Sequence, residues 1–426
     1  MTSDSPVLLL TVDTLRADRF NQECFPETYA TFTDDFAHFS SALSHGNATP
    51  LAFPSIITSH PVVGDGSFVA AAKTLAELFD DRECIGFSNN AHLRGERGYD
   101  RGFDQFHDLV PPDARSPIDR LKQNDLLRES DIVTKTYRVL KNVAGIANTR
   151  NTGSITDPFP NPKTTAETVT DFVQRQLSKH SNPFVWAHYM DPHKPFHPDQ
   201  AVDGPEITRS REEIKHLNSY EHSDDPLPDE EMSLMRALYE SNIRYLDREL
   251  SRLFTWLQTN DQYDDSLIIV LGDHGELFGE HQRMFHPWDV DPFDELIRTP
   301  LLVKYPSGDH GGLEFDHLVQ HADIMPTVAE VSDLSTEFIS ELAHPLTDTI
   351  PRQVISKSNV SIRITEPNGV GIKRRDGSTE GLEDLSTTAR GILREQQFPE
   401  VRTSGGVAKG VEDQERQKQL KALGYQ

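Results

Sequence analysis

Apolar positions along the chain fall into two periods. Val7 to Val12 is a continuous apolar run of strand length, the pattern of a strand buried on both faces. Three further runs share it, ECIGFS at 83–88, PFVWAHY at 183–189 and SLIIVLGD at 266–273, and TPLLVKYP at 299–306 resembles them. Between the runs the period lengthens. Over 235–257, Tyr239, Ile243, Leu246, Leu250, Leu253 and Leu257 recur at three- and four-residue steps, which places them on one helical face. Strand–helix–strand alternation predicts an α/β sandwich with a large, mostly parallel central sheet between helices.

Two polar stretches, about 111–163 and 198–231, interrupt the pattern and read as lids or insertions. After HADIMPTVAEV the character changes. VSIRITE and VGIKRRDG predict short strands of a small C-terminal sheet, and DQERQKQLKALGYQ predicts a tail helix. The expected division is a main domain over 1–340 and a small subdomain with its tail over 341–426.

Composition narrows the class. With 36% hydrophobic residues in 426 the chain can build a packed core, and 68 acidic side chains against 42 basic give a net charge of −26. Such a charge excludes generic nucleic-acid binding, which depends on neutralising phosphates. The acid is spread along the chain, a solvation pattern that suits a high-salt habitat. No apolar run reaches membrane-spanning length, and MTSDSPVLLLTVD lacks the basic start and long apolar region of a secretory signal. Cytoplasmic is therefore the expected location. Cys24 and Cys84 match no metal-ligand or redox spacing and read as free thiols.

In open α/β sheets, ligands collect beyond the carboxyl ends of the strands. The first run ends in Asp13, the third in His188 and Asp191-Pro192-His193, the fourth in Asp273-His274-Gly275-Glu276. Two aspartates and a histidine brought from distant strand ends can hold a divalent metal.

VLLLTVDTLRADRF, HYMDPHKPF, LIIVLGDHGELFGEH and ELIRTPLLV together resemble the sulfatase branch of the alkaline-phosphatase superfamily, in the same order and at comparable spacing. GYDRGFDQF, LYESNIRYLD, HADIMPTV and LKALGY fit it too. The resemblance spans nearly the whole chain apart from the polar insertions and part of the C-terminal region. It implies the alkaline-phosphatase/sulfatase sandwich and roles for individual residues. Asp13, Asp273 and His274 correspond to metal ligands, with Thr14 where many members carry a further acidic or amide ligand. One divalent ion is implied, Ca, Mg, Mn or Zn, with Ca slightly favoured by the family. His193 corresponds to the histidine that protonates the leaving oxygen, and His286 to a Lys or His that stabilises charge on the ester. Asn89 or Asn90, with His92 and His188, fall where members contact substrate.

The family's nucleophile lies at the start of a helix, a Cys or Ser followed by any residue and then Pro-Ser-Arg. In phosphate-ester relatives a Ser or Thr takes that slot. In TPLAFPSIITS the Pro-Ser pair is Pro54-Ser55, which aligns Ala52 with the nucleophile and Ile56 with the arginine. Formylglycine, made from the Cys or Ser, is not expected on that alignment. Three readings follow: Thr49 attacks instead, a metal-bound water attacks, or the chain keeps fold and metal without turnover.

The leading expectation is a metal-dependent hydrolase of a sulfate ester. The alternatives are phosphate-ester or phosphodiester hydrolysis or transfer on the same fold, or metal-dependent binding of an anionic glycan without turnover. The expected partner is a small anionic ester or a sulfated or phosphorylated glycan, with no nucleic acid. The basic segment 116–145 either attracts such an anion or covers the sheet edge as a solvated helical pair. Nothing in the sequence sets the oligomeric state.

Overall fold

The computed structural model describes residues 5–60, 72–90, 92–108, 165–196, 202, 211–218 and 227–399. The first polar insertion, most of the second and the predicted tail helix lie outside the described residues.

Among the described residues eight strands form the central sheet: β1 (Val7–Val12), β2 (Ala37–Phe39), β3 (Cys84–Ser88), β4 (Gln105–Asp108), β5 (Phe184–Tyr189), β6 (Leu267–Gly272), β7 (Leu301–Lys304) and β8 (Glu314–Phe315). Their order across the sheet is β8-β2-β7-β6-β1-β5-β3-β4. Only β7 runs against the others; it pairs antiparallel with β6 and with β2. All five apolar runs are therefore strands, and the sheet is mostly parallel, as their unalternating pattern predicts. The strands that the pattern misses, β2, β4 and β8, are two to four residues long and mixed in polarity.

The side chains of β1 alternate between two cores. Leu8, Leu10 and Val12 pack on one face with helices α2 (Ala166–Lys179) and α3 (Asp229–Thr259). Val7 and Leu9 pack on the other face with α1 (Thr49–Thr58) and α4 (Ile324–Val331). The six apolar positions of the helical pattern all lie buried along α3. Full burial of each leucine contributes about 1.5–3 kcal/mol, so this stripe suffices to fix the helix on the sheet. Cys24 belongs to the first core and Cys84 to the second, and both are free thiols. The sheet itself separates them.

A second, antiparallel sheet follows: β9 (Val354–Lys357), β10 (Ser361–Glu366), β11 (Gly369–Arg374) and β12 (Thr379–Glu380), backed by α5 (Thr387–Glu395). It seats on the segment just before α1. The Lys357 N–H donates to the His45 carbonyl at 2.9 Å, and the Ser356 hydroxyl to the Ser44 carbonyl at 2.6 Å. The main sheet and the small sheet thus meet at the approach to α1. No helix among the described residues is long and apolar enough to cross a membrane.

Candidate active site

Strands β1, β5 and β6 lie side by side in the order β6-β1-β5, so their carboxyl ends deliver Asp13, His188 and Asp273-His274 to one place. The turn after β1 is tight. Thr14 holds a left-handed backbone, φ 60°, which a β-branched residue adopts only under strain of about 1–3 kcal/mol. Two hydrogen bonds hold it there. The Thr14 N–H donates to Asp273 Oδ1 at 3.1 Å, and the Tyr239 hydroxyl donates to the Thr14 carbonyl at 2.8 Å.

Asp13, Asp273 and His274 are completely buried and offer ligand atoms within 4.8 Å of one another. His274 Nε2 lies 3.7 Å from Asp13 Oδ1 and 3.8 Å from Asp273 Oδ2. Such separations are a little under twice a metal–ligand bond of about 2.0–2.6 Å, which suits one ion between the three groups. Hydrogen bonding divides each carboxylate in two. Asp273 Oδ1 accepts from two backbone N–H groups, Thr14 and His274, the latter at 2.8 Å. Asp13 Oδ2 accepts from Asn90 Nδ2 at 2.7 Å and from His188 Nε2 at 3.3 Å. The other oxygens, Asp13 Oδ1 and Asp273 Oδ2, have no hydrogen-bond partner among the described residues. His274 Nδ1 donates to the Gly275 carbonyl at 2.9 Å, which leaves its Nε2 lone pair toward the carboxylates. Orphaned, buried anionic oxygens beside a bare imidazole nitrogen are the condition a cation relieves. The donor set fits a divalent metal.

Charges divide likewise. Burial pushes the Asp13 carboxyl up, but the nearby His193 and the hydrogen bond from His188 act against it, and the group is held well below the usual range. Asp273 is pushed up to about 6 by burial, with Asp13 adding to the rise against His274. Burial likewise raises Glu276 well above the ordinary glutamate value. Glu276 Oε1 sits 2.8 Å from His286 Nδ1.

Helix α1 begins at Thr49, after Ala48 in an extended conformation. The Thr49 hydroxyl lies 3.3 Å from His274 Nε2 and 3.4 Å from Asn90 Nδ2. Aligning by Pro54-Ser55 and aligning by the helix start therefore differ by three residues. The helix start belongs to Thr49, and Ala52 lies about 4.5 Å further along the axis, at a rise of about 1.5 Å per residue. Pro54 and Ser55 sit in the middle of this helix rather than in its first turn. Ser55 and Thr58 hydroxyls turn inward to the carbonyls of Ala52 and Pro54, at 2.7 and 2.6 Å. Gly46 permits the chain to reach this helix, since a Cβ there would stand 2.6 Å from the Leu51 backbone carbon.

Of the other expected contacts, Asn90 is the amide that reaches Asp13 and Thr49, and its Oδ1 accepts from the His92 N–H at 2.8 Å. Asn89 is buried one residue before it. The His92 ring lies 5.9 Å from Trp288. His193 bonds through Nδ1 to the Lys194 carbonyl, with its ring 5.2 Å from that of His286. His286 in turn lies 4.7 Å from the His274 ring. Thr14 gives its N–H to Asp273 and keeps a buried hydroxyl without a hydrogen-bond partner among the described residues. Both nitrogens of His188 are engaged internally, with Asp13 and with Thr11. Thr11 and Trp186 are the site residues that sequence reasoning missed. The signal was a hydroxyl inside a buried apolar run, one strand away from a tryptophan two residues before His188.

The model of the family described as Sulfatase matches residues 6–334. Among curated relatives, the multifunctional alkaline phosphatase superfamily protein PehA of Trinickia caryophylli is 34% identical over 105 residues, 24% of this chain and 20% of that protein. The choline-sulfatase of Rhizobium meliloti (strain 1021) is 32% identical over 124 residues, 29% of this chain and 22% of that protein. The chain thus matches about a fifth of the length of these relatives. Among solved structures, the phosphonate monoester hydrolase of Agrobacterium radiobacter shares the fold at TM-score 0.60 and 17% identity, over 92% of this chain and 91% of that one. Fold, strand-end cluster and a family match across most of its length agree: the chain belongs to the Sulfatase family.

Proposed function

We propose that the protein is a metal-dependent hydrolase of phosphate or phosphonate esters in which the Thr49 hydroxyl is the attacking group. The observation that carries this reading is the position of that hydroxyl, at the start of α1 and 3.3 Å from His274 Nε2. Threonine cannot be converted to formylglycine, since its side-chain carbon already bears a methyl group. A sulfated formylglycine hydrate expels sulfate by re-forming its aldehyde. A threonine ester has no such exit, and water must reopen it at the central atom. Phosphorus tolerates that second attack, through a five-coordinate geometry, better than a sulfate monoester does.

Asp13 Oδ1, Asp273 Oδ2, His274 Nε2 and the Thr49 hydroxyl are the groups that would hold the metal. When bound it supplies Lewis-acid charge to the ester oxygens and eases ionisation of the hydroxyl. The first N–H groups of α1 add positive potential for the anionic substrate. Thr49 Oγ1 loses its proton to solvent, from which His193 is later reprotonated, and forms a bond to phosphorus as the bond to the leaving oxygen breaks. His193, its Nδ1 committed to the Lys194 carbonyl, gives that oxygen a proton from Nε2. Water then attacks the threonine ester, releasing the acid and restoring the hydroxyl. His286, held through Nδ1 by Glu276, faces the developing charge with its other nitrogen.

A second reading, hydrolysis of a sulfate ester, is favoured by the match to choline-sulfatase. Turnover on aryl phosphate, phosphonate and phosphodiester against aryl sulfate, with Mn²⁺, Mg²⁺, Zn²⁺ or Ca²⁺ supplied, separates the two. Preference for phosphorus by 10-fold or more, on the order of 1.4 kcal/mol, is the expected result. Preference for sulfate removes the substrate assignment, and metal-dependent binding without product on any ester removes the enzyme assignment.

A further inference from the structure

We propose that Trp186, Thr11 and His188 form a buried relay that fixes Asp13 as a one-oxygen metal ligand and thereby biases the site toward small cations over Ca²⁺. The inference rests on the metal site described above. Trp186 Nε1 donates to Thr11 Oγ1 at 3.0 Å, Thr11 Oγ1 lies 2.9 Å from His188 Nδ1, and His188 Nε2 lies 3.3 Å from Asp13 Oδ2. All four residues are fully buried, away from bulk solvent. Strand register builds the chain: Thr11 pairs directly with His188 across β1 and β5, and Trp186 stands two residues earlier on the same face.

The donors can be arranged in one consistent way. An ionised Asp13 only accepts, so His188 Nε2 carries the hydrogen. A neutral imidazole then has a bare Nδ1, which needs a donor, and the Thr11 hydroxyl is the group in reach. That hydroxyl still has a lone pair, and the indole N–H, a donor only, fills it. The chain therefore fixes the His188 tautomer. Asn90 is the second donor to Oδ2, at 2.7 Å. With Oδ2 saturated and Oδ1 without a partner among the described residues, Asp13 ligates through Oδ1 alone. Asp273 is divided in the same way by two backbone N–H groups. Ca²⁺ gathers six to eight oxygens and readily uses both of a carboxylate's, whereas Mg²⁺, Mn²⁺ and Zn²⁺ accept fewer, single-oxygen ligands.

Phe53 ties the relay to the attacking group. It stands one helical turn beyond Thr49, with its ring 5.4 Å from that of Trp186 and 5.1 Å, edge to face, from that of His188. The rings that orient Asp13 are thus the surface on which α1 rests. Thr11 and Trp186 touch neither metal nor substrate and are positioning residues.

The test is Mn²⁺ affinity of the full chain, read from the electron paramagnetic resonance of free Mn²⁺, with Ca²⁺ as competitor. Thr11→Val should weaken Mn²⁺ binding about 10- to 100-fold, the usual effect of losing an outer-shell partner, and lower the Mn²⁺/Ca²⁺ preference. Thr11→Ser, which restores the hydroxyl, should return both within about threefold. Trp186→Phe keeps an aromatic ring and removes the N–H; it should weaken Mn²⁺ about 3- to 10-fold, and it decides the matter if Thr11→Val does not fold. Unchanged affinity and preference in a folded Thr11→Val, or in Trp186→Phe, overturns the relay. A wild-type chain that binds none of the four cations instead overturns the metal site on which the relay rests.

Discussion

The hydroxyl of Thr49 and Nε2 of His274 stand 3.3 Å apart, although 225 residues separate them in sequence. The His274 ring is held from behind by the Gly275 carbonyl, and Thr49 is held by the first turn of α1, so the pair is set by backbone on both sides. If Thr49 attacks the ester, Thr49→Ala loses at least about 10³-fold in kcat even with the metal supplied to saturation, while Thr49→Ser keeps measurable turnover. Steady-state kinetics with metal titration on the same preparations checks both halves.

His286 reports on charge stabilisation. Its Nδ1 is tied to Glu276 Oε1, so the proposed charge-stabilising role falls to Nε2. His286→Ala should lower kcat/KM by about 10²- to 10³-fold, the range for losing one such donor. Glu276→Gln leaves the ring in place with a weaker partner and should fall between that variant and wild type. Both are read on the best substrate of the ester panel.

Metal links directly to stability. Saturating the site to 100 times its dissociation constant should stabilise the fold by about 2.7 kcal/mol, seen as a rise in Tm that chelator reverses. Asp273→Asn alters the shared oxygen-donor set and should abolish the metal-dependent rise. A rise that survives in this variant would place the stabilising ion elsewhere.

Packing of α1 gives an independent prediction. Phe53 is fully buried against Trp186, His188 and Tyr99. Phe53→Ala should cost about 3–5 kcal/mol by denaturant titration, because the sheet beneath cannot collapse to fill the space.

Acid sensitivity follows from a buried histidine. Burial pushes His45 down to about 4, with its Nδ1 hydrogen given to the Ile355 carbonyl at 2.8 Å. A group depressed in the folded state contributes stability that is present above its unfolded value and is lost as pH falls. Between about pH 6.5 and 4 the unfolded chain takes up a proton at this histidine that the folded chain does not, so stability declines, by up to about 3 kcal/mol from this group. His45→Gln should reduce the pH slope of unfolding free energy by close to one proton across that window. An unaltered slope would show that His45 does not carry the effect.

Much of the fold was legible because its central strands are buried on both faces. The runs at Val7–Val12, Phe184–Tyr189 and Leu267–Gly272 are unmistakable, and their ends carry Asp13, His188, Asp273 and His274. Strands such as Ala37–Phe39 were not legible, being too short for any period to register. Around Thr49 the difficulty was local. A Pro-Ser pair invites alignment by itself, whereas the start of a helix is fixed by Ala48 turning extended, which no residue spacing shows. The relay behind Asp13 was hidden for another reason. It depends on which residues of β1 and β5 stand opposite each other, and that register belongs to the assembled sheet.

In the proposed reaction Thr49 becomes covalently bound to the reacting centre. The most direct measurement is acid quench during turnover of an aryl phosphonate or phosphate, followed by peptide mass spectrometry. Added phosphonyl or phosphoryl mass is expected on Thr49 in wild type and absent in Thr49→Ala. A Thr49→Ala variant that turns over the ester at the wild-type rate, with no adduct in either protein, would contradict the proposed reaction.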